Sequence, residues 1–108
     1  MDLVGILKRP EGKTLEFKRD LSSPDGVLKT IVAFANTAGG TMLIGVEGRH
    51  VRGVADALDL EERLANLVSD RISPRLVPEI EILPWRRTQV LALHVHPSPS
   101  RPHFLSRE

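Results

Sequence analysis

The sequence predicts an α+β fold: a single two-layer sandwich with helices packed on one face of a mixed sheet, in the order β-α-β-β-α-β-β. Three observations lead there. Thr41-Met42-Leu43-Ile44-Gly45-Val46 is a nearly continuous apolar run of strand length, the pattern of a central strand covered on both faces. Val27 to Ala38 and Leu60 to Ile72 carry apolar residues at helical spacing on either side of it. Segments 79–85 and 90–96 alternate around Arg86-Arg87-Thr88-Gln89 as the arms of a hairpin do.

The elements follow in order. Residues 1–10 accommodate a short helix that Pro10-Glu11-Gly12 ends. Thr14-Leu15-Glu16-Phe17-Lys18 then alternates as a half-buried strand, with Leu15 and Phe17 inward. Ser22-Ser23-Pro24-Asp25 supplies a capping serine, a proline at the first helical position and an acid in the first turn. The stripe Val27, Leu28, Ile31, Val32, Phe34, Ala35 and Ala38 is wide enough to bury most of that helix, and Gly39-Gly40 stops it. Asn36 and Thr37, polar in its last turn, are expected to cap carbonyls or hold the glycine turn. After a turn at Glu47-Gly48-Arg49-His50, Val51 to Val54 returns as a short strand. Asp59 with Glu62 three residues on has capping-box spacing, and Leu60, Leu64, Leu67, Val68 and Ile72 share one face of the helix that follows, ended by Pro74 and Pro78.

At 108 residues the chain is sized for one domain, so residues 1–108 are read as one unit, with 97–108 as an extended segment leading toward further residues. A hydrophobic fraction of 41% with 27% charged residues is an ordinary soluble composition. No apolar run is long enough to span a membrane and no leader pattern precedes the domain, which points to the cytoplasm and no membrane partner. The absence of cysteine excludes disulfides, thiolate zinc sites and cysteine nucleophiles. Fifteen basic against 14 acidic residues leave a net charge of +1, so any pull on nucleic acid depends on where the cations lie.

Gly39, Gly40, Gly45 and Gly48 do not form a phosphate loop. Such a loop joins a strand to a helix N-terminus, whereas Gly39-Gly40 follows a helix C-terminus, the negative end of the dipole. Carboxylates offer more. Glu16 and Lys18 share the strand face opposite Leu15 and Phe17, Glu11 lies just upstream, and Glu47 ends a central strand that can lie beside the first. Convergence of Glu11, Glu16 and Glu47 would hold Mg²⁺ or Mn²⁺ through hard oxygen ligands, with Lys18 stabilising charge on a scissile phosphate. A plain surface pair of Glu16 with Lys18 accounts for the same spacing. His94 and His96 share a strand face but show no third ligand, and an exposed sheet face explains them more simply. Phe17 and Phe34 read as core, and Trp85 as core-edge packing beside Arg86-Arg87.

The strand Leu15-Glu16-Phe17-Lys18, the helix Ile31-Val32-Ala33-Phe34-Ala35-Asn36-Thr37-Ala38-Gly39-Gly40 and the strand Met42-Leu43-Ile44-Gly45-Val46-Glu47 together resemble the divergent Alba-like domain associated with Schlafen proteins. That family's pattern is E-S-x-x-x-E-F-K, A-F-A-N-T-x-G-G and a strand ending I-G-V-D or I-G-V-E. Gly12 stands here in place of the usual serine, and Glu47 in place of the more usual aspartate. The resemblance implies an Alba-like fold and a nucleic-acid-binding role in a transcriptional regulator, with DNA ahead of RNA, and many relatives also carry an ATP-binding label. In relatives with RNase activity it implies an acidic triad at the positions of Glu11, Glu16 and Glu47.

The first expectation is therefore a cytoplasmic nucleic-acid-binding domain using Lys18, Arg19, Arg49, Arg52, Arg86, Arg87 and Arg101 on phosphates, with no cofactor required. The alternatives are a Mg²⁺- or Mn²⁺-dependent endoribonuclease-type lobe with Glu11, Glu16, Glu47 and Lys18 as its catalytic set, or a dimerisation or ATP-sensing module. A homodimer would supply the second lobe that the catalytic Schlafen module carries.

Overall fold

A computed structural model describes residues 2–106. Strand β1 (Leu15–Lys18) lies parallel to β2 (Gly40–Ile44), with Leu15 opposite Thr41 and Lys18 opposite Ile44. Parallel neighbours need a crossover, and α2 (Pro24–Asn36) provides it. Strand β7 (Thr88–Val95) runs antiparallel to β2, and β6 (Glu79–Trp85) antiparallel to β7, so the sheet order is β1-β2-β7-β6. The mixed sheet and the α+β class are as the sequence predicts.

Both faces of the sheet are buried, as the continuous apolar run of β2 requires. On one face Met42, Ile44, Leu91, Leu93 and Val95 pack under Val27, Leu28, Ile31, Phe34 and Ala35 of α2 and under Leu64 and Val68 of α3 (Ala57–Arg71). On the other, Leu15, Phe17, Leu43, Val90 and Ala92 meet Leu3 and Ile6 of the short helix α1 (Leu3–Leu7). This corrects the expectation of helices on one face only. The pattern of a five-residue helix cannot say which face it will cover, and the apolar face of Leu15 and Phe17 needed a cover.

Local signals account for most boundaries. Pro24 opens α2 where a missing amide costs nothing, although Ser23 makes no side-chain cap bond. At the other end the amides of Thr37 and Gly39 both reach Phe34 O, at 3.2 and 2.8 Å, and the Thr37 hydroxyl donates to Ala33 O at 2.7 Å. Gly39 has φ +80°, and a Cβ there would lie 2.7 Å from Val95 O, so glycine is required for both conformation and close packing. Helix α3 starts three residues earlier than predicted. The Asp59 amide donates to Asp56 Oδ1 at 3.1 Å, making Asp56 the cap and Asp59 the third helical residue.

The segment after Glu47 also differs. Strands β3 (Val46–Glu47) and β4 (His50–Val51) form a small hairpin, so the return strand begins at His50 and ends at Val51 rather than covering 51–54. Gly45 O then accepts from both Arg52 and Gly53 amides, at 2.8 and 2.9 Å. Beyond α3, β5 (Ile72–Ser73) pairs with β8 (Phe104–Leu105), an element the sequence did not suggest.

The predicted extended tail is bound to the domain as far as it is described; its positions 107 and 108 lie outside the described residues. The Ser98 amide donates to Ala35 O at 2.9 Å. Asn36 donates to His103 O at 2.9 Å and accepts from the His103 amide at 2.8 Å. The His103 ring, 3% exposed, lies between Pro74 O at 2.8 Å and Ser98 Oγ at 2.6 Å. Asn36 thus clamps this strap rather than holding the glycine turn. Among the described residues no helix is long and apolar enough to cross a membrane.

Candidate nucleic-acid interface

Strand directions decide where the predicted cations go. Lys18, Ile44 and Leu91 stand level across β1, β2 and β7, and β7 begins three residues further out at Thr88, opposite Trp85. Lys18 and Arg19, the β3–β4 hairpin with Arg49 and Arg52, and the Arg86-Arg87 turn therefore share one end of the sheet. Residues scattered from 18 to 87 come to one end because three connections turn there. Arg101 does not join them. Its Nη1 donates to Thr37 O at 3.3 Å, at the C-terminal end of α2, which is the opposite end of the sheet.

The cations differ in how they are held. Arg49 Nη1 donates to the carbonyls of Leu7 and Arg9, tying the hairpin to α1. That contact adds Lys8 and Arg9 to the same end, a basic pair visible in the sequence whose placement depends on how α1 docks. Arg86 lies 5.5 Å from the centroid of the Trp85 ring, which packs at the core edge. Arg87 is exposed and has no hydrogen-bond or ion-pair partner among the described residues. The backbone around this end is fixed: Gly45 N donates to Lys18 O and Val54 N to Gln89 O, at 2.8 and 2.9 Å. A Cβ on Gly53 (φ +76°) would collide with the Thr88 side chain, so glycine there lets the hairpin approach β7.

Acids punctuate the surface. Asp20 has its carboxyl held below the ordinary range, first by the Ser22 hydroxyl, then by the Ser22 amide, with a smaller contribution from Arg19. The proposed acidic trio is distributed over separate partners. Glu11 Oε1 accepts from the Phe17 amide at 2.7 Å, at the outer edge of β1. Glu16 lies 3.5 Å from Lys18 Nζ, the surface pair that their spacing also allowed. Glu47 faces Arg52 Nε at 3.1 Å and Arg19 Nη1 at 3.9 Å. Among the described residues no three His, Asp or Glu side chains form a group able to hold a metal ion. The acids as placed do not fit a Mg²⁺ or Mn²⁺ centre.

At the opposite end His94 Nε2 lies 3.2 Å from Glu81, and His96 Nε2 2.6 Å from Glu79, across the β6–β7 pair. Each histidine meets a carboxylate on the sheet surface, as an exposed face would have it. The His96 hydrogen bond, then its charge, holds the Glu79 carboxyl below its usual range.

Fold and site together define a small α+β domain whose sheet presents a cationic end built from three turns. Residues 11–108 match the family described as Schlafen, AlbA_2, and the chain belongs to that family. Among solved structures it is similar to the N-terminal domain of a protein from Nitrosomonas europaea described as related to the ATP-dependent DNA helicase RecG. That likeness has a TM-score of 0.82 at 24% identity, over 95% of this chain and 76% of that one. A protein from Corynebacterium diphtheriae shares the fold with a TM-score of 0.65 at 20% identity, over 94% of this chain and 22% of that much longer one. At these identities the likeness is one of fold. No curated protein matches the chain.

Proposed function

We propose that this domain binds the phosphate backbone of nucleic acid, DNA ahead of RNA, through the end of the sheet that carries Lys18, Arg19, Arg49, Arg52, Arg86 and Arg87. The observation that supports the proposal is topological: in a chain with a net charge of only +1, the strand order brings these cations to one end of the sheet. The description of the Nitrosomonas europaea neighbour, which names a DNA helicase, favours DNA and suits the DNA-contacting module of a larger regulator. Because each phosphate contact releases counterions, binding is expected to be steeply salt dependent and weakly sequence selective.

The test is a titration of fluorescent duplex DNA, single-stranded DNA and RNA, with and without Mn²⁺, followed for both mobility shift and cleavage. A salt-sensitive shift with intact substrate is expected. No shift with any substrate at about 50 mM salt, where weak electrostatic binding still registers, overturns the proposal. Metal-dependent cleavage that disappears in Glu16→Gln would replace it with the nuclease reading.

A further inference from the structure

We infer that Arg19 and Arg52 form a phosphate subsite in which the Glu47 carboxylate sits as an internal occupant, so that a phosphate must displace Glu47 in order to bind. The inference rests on the nucleic-acid reading above and names the contact that controls it. The two oxygens of Glu47 face different guanidinium groups, Oε1 toward Arg52 Nε at 3.1 Å and Oε2 toward Arg19 Nη1 at 3.9 Å. Two oxygens of a phosphate can take the same two places, because guanidinium donors recognise both anions through the same paired geometry.

The backbone at both arginines is held, while all three side chains are open to solvent. Arg19 directly follows β1, and Arg52 directly follows β4, whose exit is pinned by the two amides on Gly45 O. The three side chains are 66%, 60% and 46% exposed for Arg19, Arg52 and Glu47, so water weakens their ion pairs and Glu47 can swing out. Once out, its charge remains close and repels the incoming anion. An isolated phosphate therefore gains little from the exchange. A polyanion gains more, because neighbouring phosphates engage Lys18 and Arg87 at the same time. Glu47 thus sets a threshold that favours a phosphodiester backbone over free phosphate.

Removing the occupant tests this. In the intact domain, Glu47→Gln is expected to raise duplex DNA affinity roughly three- to tenfold at low salt and to steepen the slope of log K against log salt by about 1, the signature of one added phosphate contact. Asp70→Asn on α3 makes the same charge change away from the site and is expected to have little effect. Arg52→Ala in the Glu47→Gln background is expected to cancel the gain. An equal gain in Asp70→Asn, or no gain in Glu47→Gln while the wild type binds, overturns the subsite and leaves the nucleic-acid reading standing. A second arm titrates inorganic phosphate and follows the arginine Nε–H resonances by NMR. Larger shifts at Arg19 and Arg52 in Glu47→Gln than in wild type support the subsite, even if no variant binds DNA and the nucleic-acid reading falls. Unchanged melting temperatures show that each variant is folded.

Discussion

The two ends of the sheet are built by different physics. At the end where β1 and β2 finish, Lys18, Arg19, Arg49, Arg52, Arg86 and Arg87 stand at strand ends and in the connections between them, and most are exposed. At the other end, Asn36 and the buried His103 ring join parts of the chain 67 and 29 residues apart by short hydrogen bonds. Exposed ion pairs contribute about 1 kcal/mol or less each, whereas groups buried without a partner cost about 1–3 kcal/mol. The stability of the domain should therefore depend on the clamped end, and its ligand affinity on the cationic end. Variants at the two ends test that division.

The largest stability loss is expected from Gly39→Ala, since the added Cβ meets Val95 O at 2.7 Å and the φ of +80° disfavours any side chain. A cost of about 3 kcal/mol follows, read by denaturant unfolding. Asn36→Ala comes next. It strips both polar partners from the His103 backbone and should cost about 2 kcal/mol; a loss below about 0.5 kcal/mol would mean the strap is held elsewhere. At the cationic end, Arg87→Ala should change stability by less than about 0.5 kcal/mol yet weaken DNA binding several-fold, flattening the salt slope by about 1. A destabilised Arg87→Ala would break the division.

The smallest effect is a pH one. The folded-state pKa of Glu79 lies below its ordinary value of 4.5 because His96 hydrogen-bonds and charges its carboxylate. A depressed carboxyl pKa contributes stability that is fully present above the ordinary value and is lost as pH falls through the lower, folded-state pKa. An NMR titration of the Glu79 carboxyl should show that low midpoint, and His96→Ala should return it toward the ordinary range. A midpoint unchanged by His96→Ala would mean that another partner sets it.

Local patterns in the sequence located the parts of the fold that local forces build. The helical stripe from Val27 to Ala35 and the arm 79–85 exist where their spacing put them, whereas α2 ends at Asn36, two residues short of Ala38, and β7 begins at Thr88, two residues ahead of Val90. Two aspartates three residues apart, Asp56 and Asp59, both suit a helix start, and the folded chain uses Asp56. The Asn36–His103 clamp and the β5–β8 pair leave no periodic trace, because hydrogen bonds across 67 residues depend on the finished fold. The cations were legible as residues, but only the strand order placed Arg101 apart from the rest. Glu11, Glu16 and Glu47 stood out as a set of acids, and the structure adds that each faces its own partner.

Glu11 carries one more consequence. By taking the Phe17 amide, while Gly12 exchanges bonds with Leu15, it covers part of the outer margin of β1. An uncovered strand margin invites pairing with a neighbouring molecule. The far margin, β6, carries Pro84, which lacks an amide, and the charges of Glu79 and Glu81. Resistance to self-association in a crowded solution is thus divided between the Glu11 carboxylate at one margin and a proline with two strand carboxylates at the other. Glu11→Ala should aggregate sooner on heating than wild type, even where its ligand binding is unchanged.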